Sequence, residues 1–274
     1  MGGTVAQLAP LAGMMLVTGA VGGVIAGLLG VGGGIVVVPV LEFVLGILGV
    51  DPAVRMHVAV ATSLATIIPT SISSSRAHHA RGAVDLGLLK QWGVAVFAGS
   101  IVGVLLAARA SGDVLAAIFG VVALLVALKM LLPLDGRHIA EGVPGGPPGQ
   151  ALPFAIGGVS SMMGIGGGTL SVPILTLFGH PIHRAVGTAS LFGLLISVPA
   201  TIAFIVTGWG RPLLPVGSLG FVNVVGFAVI APVSYFTAPW GARLAHALTK
   251  RQLSISFGVF LLIVATRMLL RALT

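Results

Sequence analysis

The chain contains no cysteine, which excludes disulfides, thiol nucleophiles and thiolate ligation of zinc or iron–sulfur clusters and leaves the redox compartment open. Charge is nearly as scarce. Only 7% of the 274 residues are Asp, Glu, Lys or Arg, against roughly a quarter in soluble domains. With 57% apolar residues and a mean hydropathy of +1.14, the sequence excludes a soluble domain and a disordered one alike. Its 41 glycines and 16 prolines show no period of three, so a collagen-like fibre is excluded too. No charge occurs from Met1 to Leu41, and no targeting peptide with a basic start is expected. What is left is a chain built for a lipid bilayer.

Acids number six against 14 Lys and Arg, a net charge of +8. The basic residues are scattered between apolar runs, as in membrane loops, and do not form the stripe that tracks a phosphate backbone. The expected partners are membrane lipid and a small anionic substrate, with no nucleic acid; no cofactor and no metal are expected.

A membrane-crossing helix needs ~20 apolar residues, and cutting the uncharged runs by length and Gly/Pro punctuation gives ten segments. They fall at about 8–29, 34–48, 56–76, 86–108, 113–134, 151–163, 168–179, 185–207, 214–240 and 253–272. A polar, Pro- and Gly-rich linker, 135–150, divides the series into a first repeat, 1–134, and a second, 151–274. Gly30-Val-Gly-Gly-Gly with Val38-Pro39-Val40-Leu41 recurs as Gly164-Ile-Gly-Gly-Gly with Val172-Pro173-Ile174-Leu175, at an offset of 134. His57-x-Ala59-Val60-x-Thr62 recurs as His183-x-Ala185-Val186-x-Thr188 at 126, and Phe119-Gly120 with Lys129-Met130-Leu131 recurs as Phe257-Gly258 with Arg267-Met268-Leu269 at 138.

If each half crosses the bilayer an odd number of times, the repeats are inverted. That arrangement puts Arg76, Arg81, Lys90, Lys129, Arg137, Arg184, Arg243, Lys250 and Arg251 on one side, against Arg55, Arg109, Arg211, Arg267 and Arg271. This nine-to-five split is sharper than the eight-to-six of the even arrangement, so the positive-inside rule favours inversion with both termini outside. The fold expected is all-α and polytopic: two inverted repeats, each with a Gly-broken helix pair, which is the architecture of secondary transporters with a site where the halves meet.

Gly-Leu-Leu-Gly-Val-Gly-Gly-Gly-Ile-Val-Val-Val-Pro-Val-Leu, ending at Leu41, then Ala59-Val-Ala-Thr-Ser63, a basic patch before Gly82-Ala-Val-Asp85, and the degenerate second copy together resemble the TauE/SafE sulfite exporter family. The resemblance covers essentially the whole chain, departing where Ala61 stands against Gly187 of the second copy. It implies a multi-pass transporter of the prokaryotic inner membrane that moves sulfite or an organosulfonate. An anion channel, or a carrier of an unrelated small organic acid, fits the paired breaks as well. An intramembrane enzyme does not, because Asp51, Asp85 and Asp113 are placed in loops and cysteine is absent.

The candidate substrate site centres on Gly32, Gly33 and Gly34 with Gly166, Gly167 and Gly168. Unwound backbone at membrane depth is tolerated only in a protein interior or cavity, and freed amides leading into a short helix bind an anion without a charged side chain. Gly33 and Gly34 are expected to face Gly167 and Gly168, with Pro39 and Pro173 inside the short helices. Scattered glycines such as Gly19, Gly23, Gly27, Gly99 and Gly103 read as helix packing. Thr62, Ser63, Thr188 and Ser190 are candidate hydroxyl donors, with Thr169 just past the second break; bonding to backbone carbonyls is the competing fate. His57 and His183 are candidates for proton coupling or plain interfacial residues. Glu42, the one acid well inside an apolar run, is a third proton-coupling candidate or a packed neutral acid. Arg76, His78, His79, Arg81 and Lys90, beside an interfacial Trp92, read as a cytoplasmic anchor or an anion funnel.

Overall fold

A computed structural model describes residues 2–29, 32–132, 142–143 and 146–273. These hold ten helices: α1 (Gly2–Leu29), α2 (Gly34–Ile47), α3 (Pro52–His79), α4 (Leu86–Ala107), α5 (Gly112–Leu131), α6 (Gly146–Met163), α7 (Gly168–Leu177), α8 (Ile182–Thr207), α9 (Val224–Ala247) and α10 (Lys250–Leu273). Six of them, α3, α4, α5, α8, α9 and α10, are long and apolar enough to cross a membrane, and α2 and α7 are short apolar helices. Most of the expected linker, and Gly30 and Val31 of the first break, lie outside the described residues, as does Arg137.

Capping side chains set the starts. Asp51 Oδ1 accepts from Ala53 N at 2.9 Å with Pro52 opening α3, Asp85 Oδ1 accepts from Leu88 N at 3.0 Å, and Asn223 Oδ1 accepts from Gly226 N at 2.8 Å. Two of the three aspartates expected in loops, Asp51 and Asp85, thus cap helices. The third, Asp113, stands in the first turn of α5 and not in a loop.

One boundary moves substantially: α9 was expected from about 214 and begins at Val224. Residues 218–223 instead form a ribbon of β1 (Ser218–Leu219) and β2 (Val222–Asn223), paired Ser218 to Asn223 and Leu219 to Val222, with Gly220 at φ 56° in the turn. The left-handed conformation is one that glycine adopts without steric cost, and it stops the apolar run from continuing as helix.

The helices pack in pairs that exchange with one another. α1 lies on α9 and α4 on α6; α3 packs on α9 and α8 on α4; α2 packs on α3 and α7 on α8; α5 pairs with α10 and α3 with α8. Exchanging each helix with the one five places along maps this set onto itself. Small residues allow the closest of these approaches, as expected for the scattered glycines. A Cβ on Gly23 or Gly27 would overlap α9 near Ser234 and Ala238, and one on Gly99 or Gly103 would overlap α6 near Phe154 and Gly158.

Two registers define direction. A Cβ at Gly120 would lie 2.6 Å from Leu269 Cγ, and one at Gly258 would lie 2.7 Å from Leu131 Cγ, so α5 and α10 run antiparallel with reciprocal contacts. Ser71 stands against Gly193, while Ala83 and Asp85, just past α3, stand against Gly187 and Thr188 near the start of α8, so α3 and α8 are antiparallel too.

Candidate functional site

Both glycine breaks are real interruptions. The first helix stops at Leu29 and α2 restarts at Gly34; Gly32 and Gly33 have φ of 71° and 75°, and Gly33 O accepts from Val36 N at 3.0 Å and Val37 N at 3.2 Å. In the second half α6 closes on Gly164, φ 68°, with Ile165 N donating to Ser160 O at 3.0 Å and Gly164 N to Ser161 O at 3.3 Å, a left-handed helix terminus. The α7 helix restarts at Gly168. Pro39 and Pro173 lie inside α2 and α7.

The two breaks meet. A Cβ on Gly34 would overlap Gly164 O and come within 2.9 Å of Ile165 Cα, and Ser63 Oγ donates to Gly164 O at 2.7 Å. The approach is thus made by Gly34 with Gly164 and Ile165. Gly33 backs onto Gly22 of α1, and Gly167 rests on Phe192 and Ile196 of α8, where its Cβ would meet Phe192 Cβ at 2.8 Å. Residues 32–34 and 166–169 are all buried.

The candidate hydroxyls divide by what already occupies them. Thr62 Oγ1 accepts from Asn223 N at 2.8 Å and Thr188 Oγ1 accepts from Asp85 N at 2.9 Å. Each threonine thereby holds the capping residue that opens a helix of the opposite half. Ser190 donates to Gly187 O one turn back at 2.6 Å. Thr169 Oγ1 and Ser171 Oγ in α7, and Ser160 Oγ in α6, are buried without a partner among the described residues. So are Ser71 Oγ in α3, Ser197 Oγ in α8 and Trp92 Nε1 in α4. Burying a polar group unpaired is costly, and such groups cluster where a protein has a use for them.

The ionisable candidates separate as well. His57 is 5% exposed, with Nε2 at 3.1 Å from both Ala107 O and Ala110 O; two carbonyls require Nε2 to carry the proton and donate, so the ring caps the end of α4. Its ring stacks on Phe221 of the ribbon at 5.2 Å. His183 is exposed, so the equivalent histidines have different environments. Glu42 is buried and ion-paired: Arg271 Nε donates to its Oε1 at 2.9 Å, Arg55 Nη1 stands 3.8 Å away, and Arg271 Nη1 continues to Asp113 Oδ1 at 2.8 Å. These four charges tie α2, α3, α5 and α10 together.

In the basic patch Arg76, His79, Arg81 and Lys90 are exposed, whereas His78 turns inward with Nε2 2.8 Å from Gly27 O. Trp92 is not interfacial. It is fully buried, stacked on Phe192 at 6.1 Å, because α4 is covered by α6 and α8 on that face. At the opposite end of the bundle, His57, Arg109, Arg211 and Phe221 line a pocket of about 290 Å³. Sequence reasoning missed Ser71 and Ser197, although they stand at the same offset of 126 as His57 and His183.

Apolar helices of membrane-crossing length around two buried, unwound glycine turns define a polytopic integral membrane protein of the transporter class. The sequence profile of the Sulfite exporter TauE/SafE family matches residues 15–268, and the chain belongs to that family. It is 34% identical over 265 residues to a "Probable membrane transporter protein" of Haemophilus influenzae, covering 94% of this chain and 98% of that one. A Bacillus subtilis protein of the same description is 25% identical over 93% of this chain and 96% of its own. A Methanocaldococcus jannaschii protein, again so described, is 23% identical over 94% and 95%. No solved structure matches. The chain is a membrane transporter, not an enzyme.

Proposed function

We propose that the protein is a secondary carrier of a small sulfur-containing anion, sulfite or an organosulfonate, working by alternating access between two inverted repeats. The observation that carries this reading is the meeting of the breaks, Gly34 against Gly164, inside the bundle. Antiparallel pairing of α5 with α10 and of α3 with α8 supports inversion, since equivalent helices related by an axis in the membrane plane must run in opposite directions. The reciprocal contacts Gly120 to Leu269 and Gly258 to Leu131 support the same axis.

A carrier must release what it binds. Backbone amides at the starts of α2 and α7 and neutral hydroxyls attract an anion modestly, each helix end contributing ~0.3–2 kcal/mol, without the grip of a buried counter-ion. The family's name supports the sulfur chemistry. Charge supports the orientation, with the patch around Arg76 and Arg81 on the cytoplasmic side. The test is thermal unfolding of the purified protein with sulfite, sulfate, thiosulfate, sulfoacetate and acetate. A ligand that binds only the folded state raises its melting temperature, so one or more sulfur anions should stabilise where acetate does not. Stabilisation by acetate alone would turn the reading toward a carboxylate carrier.

A further inference from the structure

Resting on that reading, we propose that Ser71 and Ser197, assisted by the indole N–H of Trp92, are the side-chain donors that hold the anion. Eight hydroxyls lie along α3. Six donate: Ser63, Thr66, Thr70, Ser73, Ser74 and Ser75 bond to carbonyls of Gly164, Ser63, Thr66, Tyr235, Ala26 and Ile72 respectively, while Thr62 accepts from Asn223 N and keeps its own proton. Ser71, 1% exposed, has no partner among the described residues. In α8 its equivalent, Ser197, is fully buried and likewise unpartnered. Helical serines ordinarily bond back to their own carbonyls; of the four buried ones without a partner among the described residues, Ser71, Ser160, Ser171 and Ser197, the first and last are repeat-equivalent.

Their placement joins them to the glycine breaks. A Cβ at Gly193 would overlap Ser71 Oγ and lie 3.8 Å from Ile67 Cγ2. Ile67 in turn is where a Cβ at Gly32 would come to rest, at 2.7 Å. Gly167 of the second break abuts Phe192 and Ile196, the latter next to Ser197. Gly193 and Ser197 lie one turn apart on the same face of α8, about 6 Å along its axis. Under the offset of 126, Ser71 corresponds to Ser197 and Ile67 to Gly193, so an axis relating the repeats would carry each member of these pairs into the other. Trp92, fully buried and stacked on Phe192, brings a donor that can only donate. Two hydroxyls and an indole N–H without a partner among the described residues suit an acceptor-only ligand such as a sulfur oxyanion.

The test is anion affinity, read as the dependence of melting temperature on sulfite, thiosulfate or sulfoacetate, for Ser71→Ala, Ser197→Ala and the control Ser75→Ala. Each of the first two should weaken binding about tenfold or more, the loss typical of a hydrogen bond to a charged group. The unliganded proteins should melt at or above the parent temperature, because removing an unpaired buried hydroxyl relieves a cost; a purely structural role would lower it. Ser75→Ala should keep its affinity. Parent-like affinity in both Ser71→Ala and Ser197→Ala would overturn the assignment and leave the carrier reading standing. A parent protein stabilised by none of the three anions would remove both.

Discussion

Replacing Gly34 with alanine tests the junction of the repeats at its tightest point. The added methyl would overlap Gly164 O and stand 2.9 Å from both Ile165 Cα and Ser63 Oγ. Two of these neighbours are backbone, so the clash cannot be relieved by a rotamer change. Parting the two turns costs about 1–3 kcal/mol as overpacking. It also weakens the bond from Ser63 Oγ to Gly164 O, 2.7 Å long and wholly buried, for a further ~0.5–1.5 kcal/mol. A total of about 2–4 kcal/mol corresponds to a melting temperature lowered by roughly 5–15 °C for a chain of this size. The comparison is Gly13→Ala, where nothing lies within 4 Å of the new methyl and helix propensity favours alanine, so stability should hold or rise slightly. Both are measured by thermal unfolding in one detergent. A Gly34→Ala protein that melts with Gly13→Ala would refute the claim that the two breaks are in contact.

Thr62→Val and Thr188→Val should lower stability by about 1–3 kcal/mol, the first more than the second, since each leaves the amide of a capping residue, buried at Asn223 and part-buried at Asp85, without its acceptor; thermal unfolding checks this, and a change in anion affinity alone would place these threonines in the binding site. Glu42→Gln should destabilise by about 1–3 kcal/mol, less than a fully orphaned buried pair because Asp113 still engages Arg271, while transport should respond to an imposed proton gradient as the parent does; a response altered in this variant would make Glu42 a proton carrier. Labelling of cysteines introduced singly into the cysteine-free chain should reach both termini from outside and the loop after α3 from the cytoplasm, and the reverse pattern would invert the orientation.

Much of the architecture was legible because bilayer thickness imposes a length scale and glycine punctuates it. The end of α6 at Gly164 and the restart at Gly168, the short helices with Pro39 and Pro173, and the packing role of Gly23, Gly27, Gly99 and Gly103 all follow from residue type and spacing. The ribbon at 218–223 was not legible, since its apolar residues match those of a membrane helix and only Gly217 and Gly220 distinguish them.

The site was legible in outline and not in its donors. A hydroxyl's use depends on which carbonyl or amide the opposing half brings to it, and no spacing along one chain contains that information. Thr62 and Thr188 are engaged by Asn223 and Asp85 across the repeats. Ser71 and Ser197 have no partner among the described residues, though they too carry hydroxyls at the offset of 126. The same reason accounts for Glu42: its neighbour in space, Arg271, is 229 residues away along the chain.

Counterflow in proteoliposomes tests the central claim most directly. Vesicles containing the purified protein, preloaded with unlabelled sulfite or sulfoacetate and diluted into a trace of the labelled anion, should accumulate label transiently above its external concentration, with a rate that saturates. A carrier that reorients with substrate bound requires that overshoot. Entry that never exceeds the external concentration and rises linearly with anion would identify a channel, and no entry of either anion above protein-free vesicles would contradict the account.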